Sequence, residues 1–266
     1  MKGLLIEFEG IEGSGKTTQA GLLYSWLRQK GHPVMLRREP TESTIGKIIH
    51  SVLDKQLEMA DEAVALLFAA DRADETRRFI QPALDKGEIV VLDRYTYSSL
   101  AYQSGGMAVP FEVRWLKEIN KFALPPDILF YIDVEPGAGL KRVKGFQRLD
   151  DDTFFEDVKT QKRIREAYHQ VLHIHKPSSL IRKLETNGIP DTILDSVNIS
   201  ALGRSNFVIG LEGMQPKEKV QEQIRVFIEW LLSHKKQSIK RERFAPKGVV
   251  PLSQFTVSGH AHFEKR

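Results

Sequence analysis

Short runs of continuous apolar residues alternate with stretches of helical period along much of this chain. Leu4–Phe8 is almost wholly apolar and predicts a buried strand. Thr18–Lys30 then sets Leu22, Leu23, Trp26 and Leu27 at helical spacing, with Gly31 as the stop. Pro33–Arg37 predicts a second strand, and Ala60–Phe79 a long helix with Val64, Leu67 and Phe68 on its apolar side. Ile89–Leu92 reads as a third strand ending at Asp93. A helix from Phe111, carrying Trp115, Leu116, Ile119 and Phe122, stops before Pro125-Pro126. Ile128–Val134 is the expected fourth strand and Leu180–Leu184 the fifth. Apolar strands separated by helices predict an α/β fold, a five-stranded parallel sheet with helices on both faces. Such sheets bind ligands beyond the C-terminal strand ends, where Gly10, Arg38 and Asp93 fall.

The pattern continues to a different rhythm near the end. Phe207–Leu211 could form a strand, and Pro216–Lys236 is amphipathic, with Val220, Ile224, Phe227, Ile228 and Leu231 on one face. These segments are expected to form a C-terminal extension, residues 199–266, appended to a main domain of residues 1–198. Its basic stretch Lys235–Arg243 reads as a solvated tail, and nucleic acid is not an expected partner.

Charge is unevenly spread along the chain. Residues 1–200 hold 27 Lys+Arg against 29 Asp+Glu, while residues 201–266 hold 12 against 6, so the net +4 belongs to the C-terminal quarter. With no cysteine, disulfides, thiolate metal sites and a cysteine nucleophile are excluded. The apolar runs are too short to span a bilayer, and the first residues lack a signal-peptide pattern, so a cytoplasmic protein with no membrane partner is expected. His173/His175 and His260/His262 lack the further ligands that a metal site needs.

The chemistry begins where the first strand ends. Gly10-Ile11-Glu12-Gly13-Ser14-Gly15-Lys16-Thr17-Thr18 fits the phosphate-binding loop GxxxxGK[ST], strand before and helix after. The glycines allow several backbone N–H groups to converge on one anion, Lys16 reaches the outer phosphates, and the Thr17 hydroxyl helps to hold Mg²⁺. Asp93, at the end of the third strand, stands where an acid steers metal-bound water. Arg94 beside it and Arg38 before Glu39-Pro40 offer guanidinium forks suited to a second phosphate. The plainer alternative is that these arginines pair only with Glu39 and Asp93.

Taken together, the loop with Glu9 before it, Arg38-Glu39-Pro40, Leu67–Arg72, Asp93-Arg94-Tyr95, Ser98–Gln103, Leu124–Asp127, Leu140–Val143 and Arg163–Tyr168 closely resemble thymidylate kinase over about the first 195 residues. The resemblance implies the nucleoside-monophosphate-kinase fold, a homodimer, and Mg²⁺-dependent transfer of a phosphoryl group from ATP to dTMP, giving dTDP for dTTP synthesis. It also implies roles for residues. Glu12 would reach the acceptor's 3′-hydroxyl, Phe68 would stack on thymine, Arg72 would donate to its O4, and Ser99 would read the other edge. Tyr102 would crowd out a ribose 2′-hydroxyl, while Arg38 and Arg94 would bind the 5′-phosphate.

The loop carries no arginine, so the charge that closes over the reaction is expected from a lid of the bacterial kind within Lys141–Arg148. Arg148 is the first choice there, then Arg142 and Lys144. Thr41-Glu42-Ser43-Thr44 replaces the family's usual glycine-rich turn. The rivals are a kinase for another monophosphate such as UMP or dUMP, and a nucleotide-binding regulatory module.

Overall fold

Strand β1 (Leu4–Glu9) is buried along its whole length and lies between two parallel neighbours. It pairs with β3 (Ile89–Asp93) in the register Leu4 to Ile89, and with β4 (Ile128–Asp133) in the register Ile6 to Ile128. The structure, a computed structural model, describes residues 3–107, 109–144, 157–172, 198–201 and 207–234. On the far side of β3 lies β2 (Val34–Arg38), again parallel. On the far side of β4 lies β6 (Phe207–Glu212), and β5 (Asn198–Ala201) closes that edge antiparallel to β6, giving the order β2-β3-β1-β4-β6-β5.

Five strands are therefore parallel, as expected, but the fifth is Phe207–Glu212. The strand expected at Leu180–Leu184 lies outside the described residues, as do the histidine pairs and the basic tail. The division expected at 198/199 runs through the sheet, because β5 and β6 hydrogen-bond within it.

The helices are α1 (Lys16–Gln29), α2 (Thr44–Leu53), α3 (Asp61–Glu75), α4 (Thr96–Ala101), α5 (Val113–Ile119), α6 (Pro136–Lys144), α7 (Val158–Val171) and α8 (Lys217–His234). Wider π turns extend α3 through Thr76–Ile80, which runs on into a last α-helical stretch, Gln81–Asp85, and extend α4 through Tyr102–Gly106. Phe122 lies beyond α5 and is exposed, so the expected helix from Phe111 is shorter at both ends.

Alternation along β1 divides the core. Leu4, Ile6 and Phe8 face α1 and α8, and there Phe227 meets Phe130 edge-on at 6.1 Å and Phe207 at 5.6 Å. All five residues expected on the apolar face of α8 are buried. This helix covers one face of the sheet, so the apolar face expected from the sequence is buried against the main body; the strand pairing that brings it there is not visible in local periodicity. Across the sheet, Leu129, Tyr131 and Val208 pack with Leu100, Ile164 and Tyr168, which belong to the α4 and α7 layer.

Candidate active site

Where β1 turns into α1, the chain adopts conformations that need glycine. Gly13 has φ +68° and Gly15 φ +99°. A β-carbon on Gly13 would lie 2.0 Å from the Gly139 carbonyl oxygen, so the loop and α6 touch backbone to backbone. The buried Lys16 turns its Nζ into the loop, donating to the Ile11 carbonyl at 2.6 Å and to Ser14 Oγ at 3.3 Å. Burial and the neighbouring Arg94 bring its ammonium pKa down to about 8, against the opposing pull of Glu12, Asp93 and Glu9.

Thr17 Oγ1 donates to Asp93 Oδ2 at 2.6 Å, while the other oxygen, Oδ1, is buried with no hydrogen-bond partner among the described residues. A hydroxyl beside a carboxylate with a spare oxygen fits Mg²⁺, a hard cation that takes few protein ligands and completes its shell with phosphates and water. No cluster of three or more His, Cys, Asp or Glu that could hold a metal occurs among the described residues.

Beside the loop opens a cleft of about 510 Å³, counting the open solvent at its mouth. Glu12, Phe68, Arg72, Arg94, Ser99 and Tyr102, expected to bind the acceptor, all line it. Glu12 is the hinge between loop and cavity. Its Oε1 accepts from Arg94 Nη2 at 2.5 Å and from the Tyr102 hydroxyl at 3.0 Å. Burial opposes its ionisation, but Arg94, Lys16 and these hydrogen bonds outweigh it and hold the carboxyl down at about 2. Arg94 sits at φ +68°, an uncommon conformation for a residue with a side chain, and its guanidinium lies 5.1 Å from the Tyr102 ring centre.

Arg72 departs from the simple expectation of a free fork. Fully buried, it donates twice to Glu39 Oε2, once to the Tyr95 carbonyl at 3.0 Å and once to Asn120 Oδ1. Four of its five N–H groups are thus engaged, leaving one for a ligand. Burial raises the Glu39 carboxyl to about 7 despite the attraction of Arg72. The loop that replaces the glycine-rich turn is fastened by Asp71, whose carboxylate accepts from Thr41 N at 2.8 Å, Thr41 Oγ1 at 2.6 Å and Ser43 Oγ at 2.8 Å. Ser43 in turn caps α2 through the Gly46 N–H.

Arg38 is largely exposed and lies 3.6 Å from Asp93 Oδ2, at the rim of the site. Arg142 bridges Gly13 O at 3.4 Å and Gly213 O at 3.0 Å, tying the loop to the turn after β6. Arg148 and the side chain of Lys144 lie outside the described residues.

Sequence reading missed Glu39, Leu53 and Gln103 in the cavity wall. Gln103 Oε1 and Ser99 Oγ are buried without hydrogen-bond partners among the described residues, so two polar atoms stand ready for a ligand edge. It also missed Gln161 on α7, whose Oε1 accepts the Glu12 N–H at 3.0 Å. Gln103 lay inside a quoted motif, whereas no local signal marks Gln161.

The thymidylate kinase family profile matches residues 8–187. A probable thymidylate kinase of Pyrococcus horikoshii is 40% identical over 192 residues, covering 70% of this chain and 91% of its own. A thymidylate kinase of Halothermothrix orenii is 40% identical over 177 residues, 64% of this chain and 84% of its own. One from Bifidobacterium longum is 38% identical over 174 residues, 63% and 83% respectively. With the loop, the lined cavity and these matches in agreement, the chain belongs to the thymidylate kinase family.

Proposed function

We propose that this protein transfers the terminal phosphoryl group of ATP to dTMP, giving dTDP and ADP for dTTP synthesis. The observation that carries this reading is Glu12, a residue of the triphosphate loop whose carboxylate lines the adjoining cavity and is held there by Arg94. One loop thereby serves two ligands, and their phosphates meet between Lys16 and Arg94.

Each wall of the cavity has work to do on a thymidine monophosphate. Phe68 supplies a ring for stacking, the spare N–H of Arg72 donates to O4, and Ser99 Oγ with Gln103 Oε1 meets the remaining polar edge. Tyr102 crowds the sugar's 2′ side while Glu12 accepts from its 3′-hydroxyl. Arg94, assisted from the rim by Arg38, holds the 5′-phosphate. The acceptor oxygen is ionised at neutral pH, so no general base is needed. The chain's task is alignment, exclusion of water and neutralisation of charge, with Lys16 on the transferring group. Thr17 and Asp93 would hold Mg²⁺, which when bound neutralises charge on the outer phosphates. Arg148, the first choice from the sequence for a lid cation, would add the remaining positive charge.

Family membership supports a homodimer and a cytoplasmic location, and no described helix is long and apolar enough to cross a membrane. Steady-state kinetics over dTMP, dUMP, UMP and dCMP tests the assignment. The expected result is the highest kcat/KM for dTMP; preference for another monophosphate, or no acceptor-dependent ADP release, would overturn it.

A further inference from the structure

Helix α7 turns one continuous stripe inward, and that stripe holds an amide among apolar and aromatic neighbours. Gln161, Ile164, Tyr168 and Val171 follow at helical spacing and all are buried, Gln161 completely. An amide in that setting costs free energy unless it is hydrogen-bonded. Gln161 Oε1 accepts the Glu12 N–H at 3.0 Å, across 149 residues of chain. The turn that presents it is itself fixed. The Asp157 carboxylate accepts from Thr160 N at 2.8 Å, and the Asp157 carbonyl accepts from Gln161 N at 3.0 Å.

This bond falls on one peptide unit of the phosphate loop, the unit between Ile11 and Glu12. Its carbonyl accepts from Lys16 Nζ at 2.6 Å while its N–H is taken by Gln161. A planar peptide gripped at both ends has little freedom to turn, and the dihedrals beside it, ψ of Ile11 and φ of Glu12, aim the Glu12 side chain. The Glu12 N–H is thereby withdrawn from the cradle. Those of Gly13 and Gly15 make no hydrogen bond among the described residues.

The same helix lies against the acceptor wall. A β-carbon on Gly105 would lie 2.7 Å from Arg163 O, so the π turn bearing Tyr102 and Gln103 packs closely on α7. Two turns along, the Tyr168 hydroxyl donates to Glu9 Oε2 at 2.6 Å, at the end of β1. Helix α7 thus holds the strand end through Glu9 and the loop through Glu12. Both are set against the wall from which Tyr102 reaches the Glu12 carboxylate.

We propose that Gln161 is a positioning residue for the acceptor: by clamping the Ile11–Glu12 peptide it aims the Glu12 carboxylate into the cavity, toward the sugar's 3′ side. It acts through the loop, since Gln161 is not among the residues that line the cavity. This deepens the acceptor reading given above and rests on it. Freed from Gln161, the peptide can turn and Glu12 can leave Arg94 and Tyr102, while the cradle glycines and Lys16 remain for ATP.

The test uses Gln161→Met, which keeps the length of the buried side chain and removes its acceptor oxygen. KM for dTMP should rise about tenfold, the loss of one buried hydrogen bond, with KM for ATP changed less than about twofold. The ratio of KM for the 3′-deoxy analogue to KM for dTMP should fall to that of Glu12→Gln. Adding Gln161→Met to Glu12→Gln should leave this ratio where it is, because both changes remove the same contact. Gln161→Asn keeps the amide but draws it back by one methylene; it should behave alike, and it replaces Gln161→Met if that variant does not fold. In the ligand-free wild type, the Glu12 N–H should exchange with deuterium at least about tenfold more slowly than those of Gly13 and Gly15, with intrinsic rates divided out.

Equal losses for dTMP and its 3′-deoxy analogue, a further fall in the double variant, or a Glu12 N–H that exchanges as fast as its neighbours would overturn the inference. The exchange measurement needs no nucleotide, so it reports on the clamp alone. A wild type with a protected Glu12 N–H that binds no dTMP overturns the acceptor reading, and the positioning role with it, while the clamp stands.

Discussion

Arg94 occupies the left-handed region at φ +68°, which costs a residue with a side chain about 1–2 kcal/mol. Its N–H bonds to Phe8 O at 3.0 Å, Glu12 holds its guanidinium, and Tyr102 lies beneath it, so the surroundings fix what the backbone resists. Lysine would keep the charge but lose the fork. Arg94→Lys is therefore expected to lower kcat/KM for dTMP about a hundredfold while moving the melting temperature little, measured by kinetics and calorimetry on one preparation. Glu12→Gln should cost discrimination between dTMP and its 3′-deoxy analogue, read as the ratio of their KM values; an unchanged ratio would remove the sugar contact. The same variant has a pH signature. With its pKa lowered from the usual 4.5 to about 2, Glu12 stabilises the fold above its unfolded value, and that contribution is lost as pH falls through this window. Denaturant midpoints across that range should fall more steeply for the wild type than for Glu12→Gln.

At the level of elements, the loop and α8 depend on close packing of different kinds. Gly13→Ala forces a β-carbon against the Gly139 carbonyl oxygen and strains a positive φ, so ATP affinity should drop at least about tenfold by calorimetry. Phe227→Ala empties a fully buried site between Phe130 and Phe207 and should cost about 3–5 kcal/mol in chemical denaturation. Much of this was legible in the chain. The runs at β1, β3 and β4, the loop spacing and the apolar face of α8 all follow from local pattern. So did a strand at Phe207–Leu211, but its place beside β4 did not, since the pairing of Ile128 with Phe207 spans distant chain and no periodicity encodes it. Helix α2 was also missed; it is short, and a tertiary bond network from Asp71 fastens the loop in front of it. Within the site, motif spacing located Arg72 on the cavity. It could not show the partners that consume four of its donors, because Glu39, Tyr95 and Asn120 come from three other parts of the chain.

Across the whole molecule, the sheet reaches further along the chain than the family match, which ends at residue 187, before β5, β6 and α8. Of these, β6 and α8 nonetheless share the core with β1 and β4. A chain ending at residue 206 should consequently fail to fold, giving no cooperative melting transition; a folded, active product would restore the idea of a separable extension. The account as a whole requires two phosphorylated nucleotides in one crevice, with Glu12 and Arg94 where they meet. Calorimetric titration of dTMP into protein saturated with Mg²⁺ and a non-hydrolysable ATP analogue tests this most directly. One dTMP bound per chain, with the analogue retained, is the result expected. Displacement of the analogue by dTMP, or no binding at all, would contradict it.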